Sequence, residues 1–133
     1  METEEDLGMK QLAIRENHLY QKAYTKGKRC ICKNISVFVL KDYAAKRLMN
    51  ADPEKKLHNR VGIASPKKLG SAVMRNRAKR VIREAYRLIE KEYGLCHGYL
   101  VVIAAREGAC TAGMDEVRRE LIYALGKLEL ITR

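Results

Sequence analysis

The segment from about Ala72 to Tyr93 constrains the fold more than any other stretch of this chain. Ala78, Val81, Ile82, Ala85, Leu88 and Ile89 recur at steps of three and four, which predicts one long amphipathic helix over 72–93. Ser71 is placed to cap it and Gly94 to stop it. With Arg75 set at zero and about 100° per residue, the apolar stripe centres near 300°. Arg75, Asn76, Lys79, Arg80, Arg83, Arg87 and Lys91 then lie between zero and about 160°. Such a helix must lay its stripe on a second layer, and it leaves outside a face whose only acids are Glu84 and Glu90. An ordinary solvated face interleaves Glu and Lys at i,i+4, whereas uncompensated like charges repel one another unless a polyanion neutralises them.

Strand patterns supply that second layer. Residues 35–40, Arg60 to Ser65, and 99–105 are rich in β-branched and apolar types, and the last is apolar throughout, as for a strand buried on both faces. Asn17 is the expected N-cap of a first helix carrying Leu19, Tyr20, Ala23 and Tyr24, which Gly27 ends. Asp115 and Glu116 suit the first turn of a last helix striped by Val117, Leu121, Ala124, Leu125 and Leu128. Residues 1–13 read as a flexible leader and 41–59 as a long loop with a helical turn around Ala44–Met49. The order is α-β-β-α-β-α with a possible extra strand near 28–32, giving one α+β domain, an α/β sandwich, over 1–133.

Net charge is +11, and residues 60–91 alone carry ten bases and two acids. A nucleic acid is the expected partner. No apolar run approaches the ~20 residues of a membrane span, and the acidic start lacks a signal peptide's apolar stretch, so a soluble cytoplasmic protein is expected. Cys30, Cys32, Cys96 and Cys110 do not form the two close pairs of a structural zinc site, and they read as reduced, partly buried thiols. Arginine's planar fork suits phosphate and stacks on bases, and Asn76 adds an amide that can reach a base edge or a 2′-hydroxyl. A DNA-reading helix-turn-helix needs a helix just before the long one, where Arg60–Ser65 reads as a strand. RNA is favoured. Tyr20 and Tyr24 lie one turn apart on one helix face, and Phe38 stands among aliphatics on a strand. Taken alone, these rings fit either core packing or a platform for stacking unpaired bases.

The Arg60–Arg87 block, RVGIASPKKLGSAVMRNRAKRVIREAYR, closely resembles the signature of the bacterial ribonuclease P protein component. Arg75-Asn76-Arg77 with Lys79, Arg80 and Arg83 matches that family's RNR motif, and Tyr20 to Gly27 looks like its first helix and closing glycine. Tyr99 to Arg106 is similar to its last strand, so the resemblance runs from about Ile14 to Leu128. Three departures stand out: Tyr20 in place of the usual phenylalanine, Pro66 before the two lysines, and the longer 41–59 segment.

The resemblance implies the fold of a ribosomal-protein-like domain, with a rare left-handed crossover through the 72–93 helix. It implies a monomeric subunit, one per ribonuclease P RNA, in an enzyme that removes the 5′ leader of precursor tRNA. The RNA would do the chemistry with magnesium, so no residue of the chain is expected to be catalytic. Lys67, Lys68, Arg75, Asn76, Arg77, Lys79, Arg80, Arg83 and Arg87 would face the catalytic RNA, and Tyr20, Tyr24, Phe38 and Arg106 would line a leader cleft. A self-sufficient nuclease would need clustered carboxylates or a His-based acid–base pair, which isolated Glu84 and Glu90 and scattered His18, His58 and His97 do not supply. The alternative is a ribosomal or other structural RNA-binding protein, which would explain the charge but not the spacing of the Tyr20 segment from the RNR block.

Overall fold

The computed structural model describes residues 12–14, 16–54 and 56–131. The chain runs β1 (Leu12–Ala13), α1 (Asn17–Lys26), β2 (Lys28–Ile31), β3 (Ile35–Lys41), α2 (Ala45–Ala51), β4 (Arg60–Ala64), α3 (Ala72–Glu92), β5 (Tyr99–Ala105) and α4 (Met114–Lys127). Short 3-10 turns occupy Lys67–Leu69 and Glu107–Cys110. The expected α+β order is present, and the extra strand exists. Residues 1–11 of the expected leader lie outside the described residues, while Leu12–Ala13 pair into the sheet.

The sheet order is β1-β4-β5-β3-β2. β5 is the middle strand, which is why its sequence is apolar on both faces. It pairs parallel with β4 and antiparallel with β3. The parallel pair makes β4–α3–β5 a crossover connection, the one whose hand the resemblance gives as left. Alternation sorts the side chains. Val37, Val39, Val61, Val101 and Ile103 face α3 and α4 and form the main core with Ala78, Ile82, Ala85, Leu121 and Leu125. Leu100 and Val102 face the other way, beside Phe38 and Leu40 of β3 and against Leu19, Tyr20, Ala23 and Tyr24 of α1.

Several local expectations need correction. Glu16, not Asn17, holds the N-cap position of α1, and its side chain makes no capping bond. Gly27 does end α1, but with φ −78° it is not in a left-handed cap. Its role is close approach: a Cβ there would sit 2.6 Å from the Ala23 carbonyl oxygen and 2.9 Å from that of Val39. The 41–59 segment is more ordered than a loop with one turn. The Asp42 carboxylate accepts from the Ala44 N–H (3.0 Å) and its carbonyl from the Ala45 N–H (3.0 Å), which starts the seven-residue α2.

Candidate nucleic-acid interface

The approach to α3 explains how its cations are displayed. Leu69 is buried and anchors the 3-10 turn, so Lys67 and Lys68 beside it stay exposed. Gly70 has φ 141°, a conformation a side chain resists, and it turns the chain into the helix. Ser71 then caps α3 as expected, its hydroxyl accepting from the Met74 N–H at 3.3 Å.

Along the helix the nine residues expected to face RNA separate into different environments. Asn76, Arg80 and Arg83 are exposed, and Lys79 is half-buried. Lys79, Arg80 and Arg83 have no ion pair among the described residues. Arg75 donates to the Gly70 carbonyl (3.2 Å), which holds its guanidinium near the lysine turn. Arg87 is already neutralised: it donates to Glu84 through Nε (3.1 Å) and Nη2 (2.5 Å). That hydrogen bonding lowers the Glu84 carboxyl below its ordinary range.

Arg77 departs furthest from the sequence reading. It donates to the carbonyls of Cys110 (3.1 Å), Ala112 (3.1 Å) and, more weakly, Ala109 (3.4 Å), tying α3 to the turn after β5. Its wheel angle of about 200° borders Leu88 at about 220°, so it belongs to the edge of the packed face. Glu90 departs too. It lies on the C-terminal half of α3, where the fully buried Tyr86 accepts a long hydrogen bond from Asn59 (3.5 Å). One Glu90 carboxylate oxygen is buried without a hydrogen bond among the described residues. Burial pushes its pKa up to about 7, against a smaller lowering by His58. The cationic face is therefore narrower than the wheel suggests, centred on Lys79, Arg80 and Arg83.

The opposite face of the sheet carries the rings. Tyr20 and Tyr24 have centroids 6.5 Å apart, and Tyr24 meets Phe38 edge-on at 4.9 Å. All three are part-exposed, in one continuous patch. Tyr20 lies over Gly62 of β4, where any Cβ would fall 2.5 Å from its hydroxyl. Burial raises both tyrosine hydroxyls above their ordinary pKa, so they remain protonated donors. Arg106 is not part of this patch by contact. It stands at the end of β5 and donates to the Cys32 carbonyl at 2.5 Å. The register adds a residue that sequence reading missed: Arg29, exposed, is paired with Phe38, which is paired with Val102 and through it with Gly62. Only the pairing places Arg29 beside the rings.

A sandwich that displays unpaired arginines on one side of a sheet and half-exposed rings on the other defines a nucleic-acid-binding protein. Comparison with known proteins narrows the class. A model of the Ribonuclease P family matches residues 9–129. The Ribonuclease P protein component of Listeria innocua is 31% identical over 116 residues, covering 87% of each chain. That of Dehalococcoides mccartyi is 38% identical over 86 residues, 65% of this chain and 68% of that one. The fold is that of the RNase P protein of Staphylococcus aureus, with a TM-score of 0.70 at 24% identity over 92% of this chain and all of the other. The Thermotoga maritima RNase P protein gives 0.65 at 22% identity, covering 90% and 97%. This chain belongs to the ribonuclease P protein family.

Proposed function

We propose that the chain serves ribonuclease P by holding the 5′ leader of precursor tRNA on the α1 side of its sheet while α3 grips the ribonuclease P RNA on the other. The observation that carries this reading is the separation of the two surfaces. The Tyr20–Tyr24–Phe38 patch and the Lys79–Arg83 face belong to opposite layers, so two RNAs can be bound at once. Ring faces stack unpaired bases with little sequence preference, which suits a leader of variable sequence. Arg29 beside the rings is placed for leader phosphate, and Lys67, Lys68 and Arg75 extend the catalytic-RNA face.

Chemistry would rest with the RNA and its magnesium. Among the described residues no three His, Cys, Asp or Glu side chains gather where they could hold a metal ion. Its contribution is to bind and orient, and to offset phosphate repulsion where the RNA collects its ions. One subunit per RNA and a cytoplasmic setting complete the reading. Among the described residues no helix is long and apolar enough to cross a membrane.

The test is reconstitution. Purified protein added to a bacterial ribonuclease P RNA should restore cleavage of precursor tRNA at magnesium concentrations where the RNA alone is inactive. Failure to restore it, with the protein folded and the RNA active at high magnesium, would overturn the reading.

A further inference from the structure

A second groove lies across α1 from the rings. Leu19 and Ala23 set α1 down on the sheet, Tyr20 and Tyr24 project from one flank, and His18 and Lys22 line a hollow on the other. This hollow, about 230 Å³, is floored by Leu40 and Leu100 and closed on its far side by Tyr43, Ala44 and Arg47 beside and within α2. It also contains two acids, Glu16 and Asp42, and both are engaged by Arg60: Nε and Nη2 reach the Asp42 carboxylate at 2.7 and 3.0 Å, and Nη1 lies 3.6 Å from Glu16. Against these two acids, the four cations Lys22, Lys41, Arg47 and Arg60 leave the groove positive.

Tyr43 completes the arrangement. It is 78% exposed. The Lys22 ammonium lies 5.8 Å from its centroid, which links α1 to the α2 segment across the groove. Tyr43 also lines a neighbouring apolar hollow of about 380 Å³ with Met49, Leu57 and Tyr99. An exposed ring on a ridge between a cationic groove and an apolar one offers a stack for a base and contacts for the adjoining phosphates, the combination that single-stranded nucleic acid requires.

We propose that the groove between α1 and α2 is a second single-stranded RNA site, taking leader nucleotides upstream of those held by Tyr20, Tyr24 and Phe38. The inference rests on the leader reading above. Leu40 and Leu100 lie on the same face of the sheet as Phe38 and Val102, so both grooves open on the leader side. Only the width of α1, about 10 Å with its side chains, separates them.

The experiment titrates reconstituted holoenzyme with mature tRNA and with precursors whose leaders are about five and about twelve nucleotides long. Tyr43→Ala and Arg47→Ala should weaken the long-leader precursor on the order of tenfold while changing the short-leader one by no more than about twofold. Tyr24→Ala should weaken both precursors. Melting temperatures should be unchanged for Tyr43→Ala, since the ring packs on little. If Tyr43→Ala and Arg47→Ala bind both precursors like wild type while Tyr24→Ala still weakens both, the second groove is refuted and the first stands. Equal losses on mature tRNA, or weakened assembly with the ribonuclease P RNA, would also refute it by assigning the groove to another RNA. If Tyr24→Ala leaves both precursors unaffected, the aromatic groove itself is in error.

Discussion

Among the α3 arginines, position on the wheel decides what a substitution does. Arg77→Ala removes charged donors from the carbonyls of Cys110 and Ala112 and should cost about 1.5–3 kcal/mol of stability, along with some RNA affinity. Arg80→Ala should leave the melting temperature unchanged and weaken binding to the ribonuclease P RNA, with a salt slope flatter by about 0.7–0.9 log unit for the lost phosphate contact. Thermal melts beside salt-dependent titrations separate the two, and equal melting temperatures would remove Arg77 from the fold's supports. Glu90 gives a prediction in pH. Its carboxyl titrates near 7 in the fold against an ordinary value of 4.5, because burial disfavours the charged form. The folded protein therefore keeps a proton that the unfolded chain has released. The stability tied to this group is full below about pH 4.5 and declines as pH rises to about 7. Glu90→Gln should raise stability by up to about 3 kcal/mol near pH 8 and by little near pH 4.5. A gain independent of pH would contradict the burial of this carboxyl.

The elements were largely legible because their patterns are strong. The α3 stripe, the Ser71 cap, the apolar β5 and the acidic start of α4 all follow from spacing and residue type. The misses share a cause, which is that they depend on partners distant in sequence. Tyr86 and Glu90 lie outside the apolar stripe, yet Tyr86 is fully buried with Asn59 on its hydroxyl, and one Glu90 carboxylate oxygen is buried. Arg29 shows its relation to the rings only through β-pairing, and α2 starts from an Asp42 whose carboxylate is also held by Arg60. Gly27 illustrates the same point. It was readable as a helix end, but its reason is contact between α1 and β3. Gly27→Ala must lift one from the other, and should lower stability by about 1–3 kcal/mol as an overpacked contact does. Because Tyr24 rides on α1 against Phe38, the same variant should weaken precursor binding. Unchanged melting and affinity would show that this contact yields freely.

At the scale of the molecule the sheet is a partition. One layer, α3 with α4, builds the main core and displays arginines, while the other, α1, encloses a smaller cluster and leaves its rings half in solvent. Net charge alone could not divide these roles, since cations occur on both sides. The most direct test of that division is the ratio of affinities for precursor and mature tRNA, measured on reconstituted holoenzyme carrying Tyr24→Ala or Arg80→Ala. Mature tRNA lacks the leader, so the wild-type ratio reports leader binding. Tyr24→Ala should lower the ratio by about 1–3 kcal/mol with assembly intact, the loss of one stacked base. Arg80→Ala should weaken assembly and, once saturated with RNA, leave the ratio unchanged. If Tyr24→Ala weakened precursor and mature tRNA equally with a large fall in melting temperature, the rings would be core and the two-sided account would be wrong.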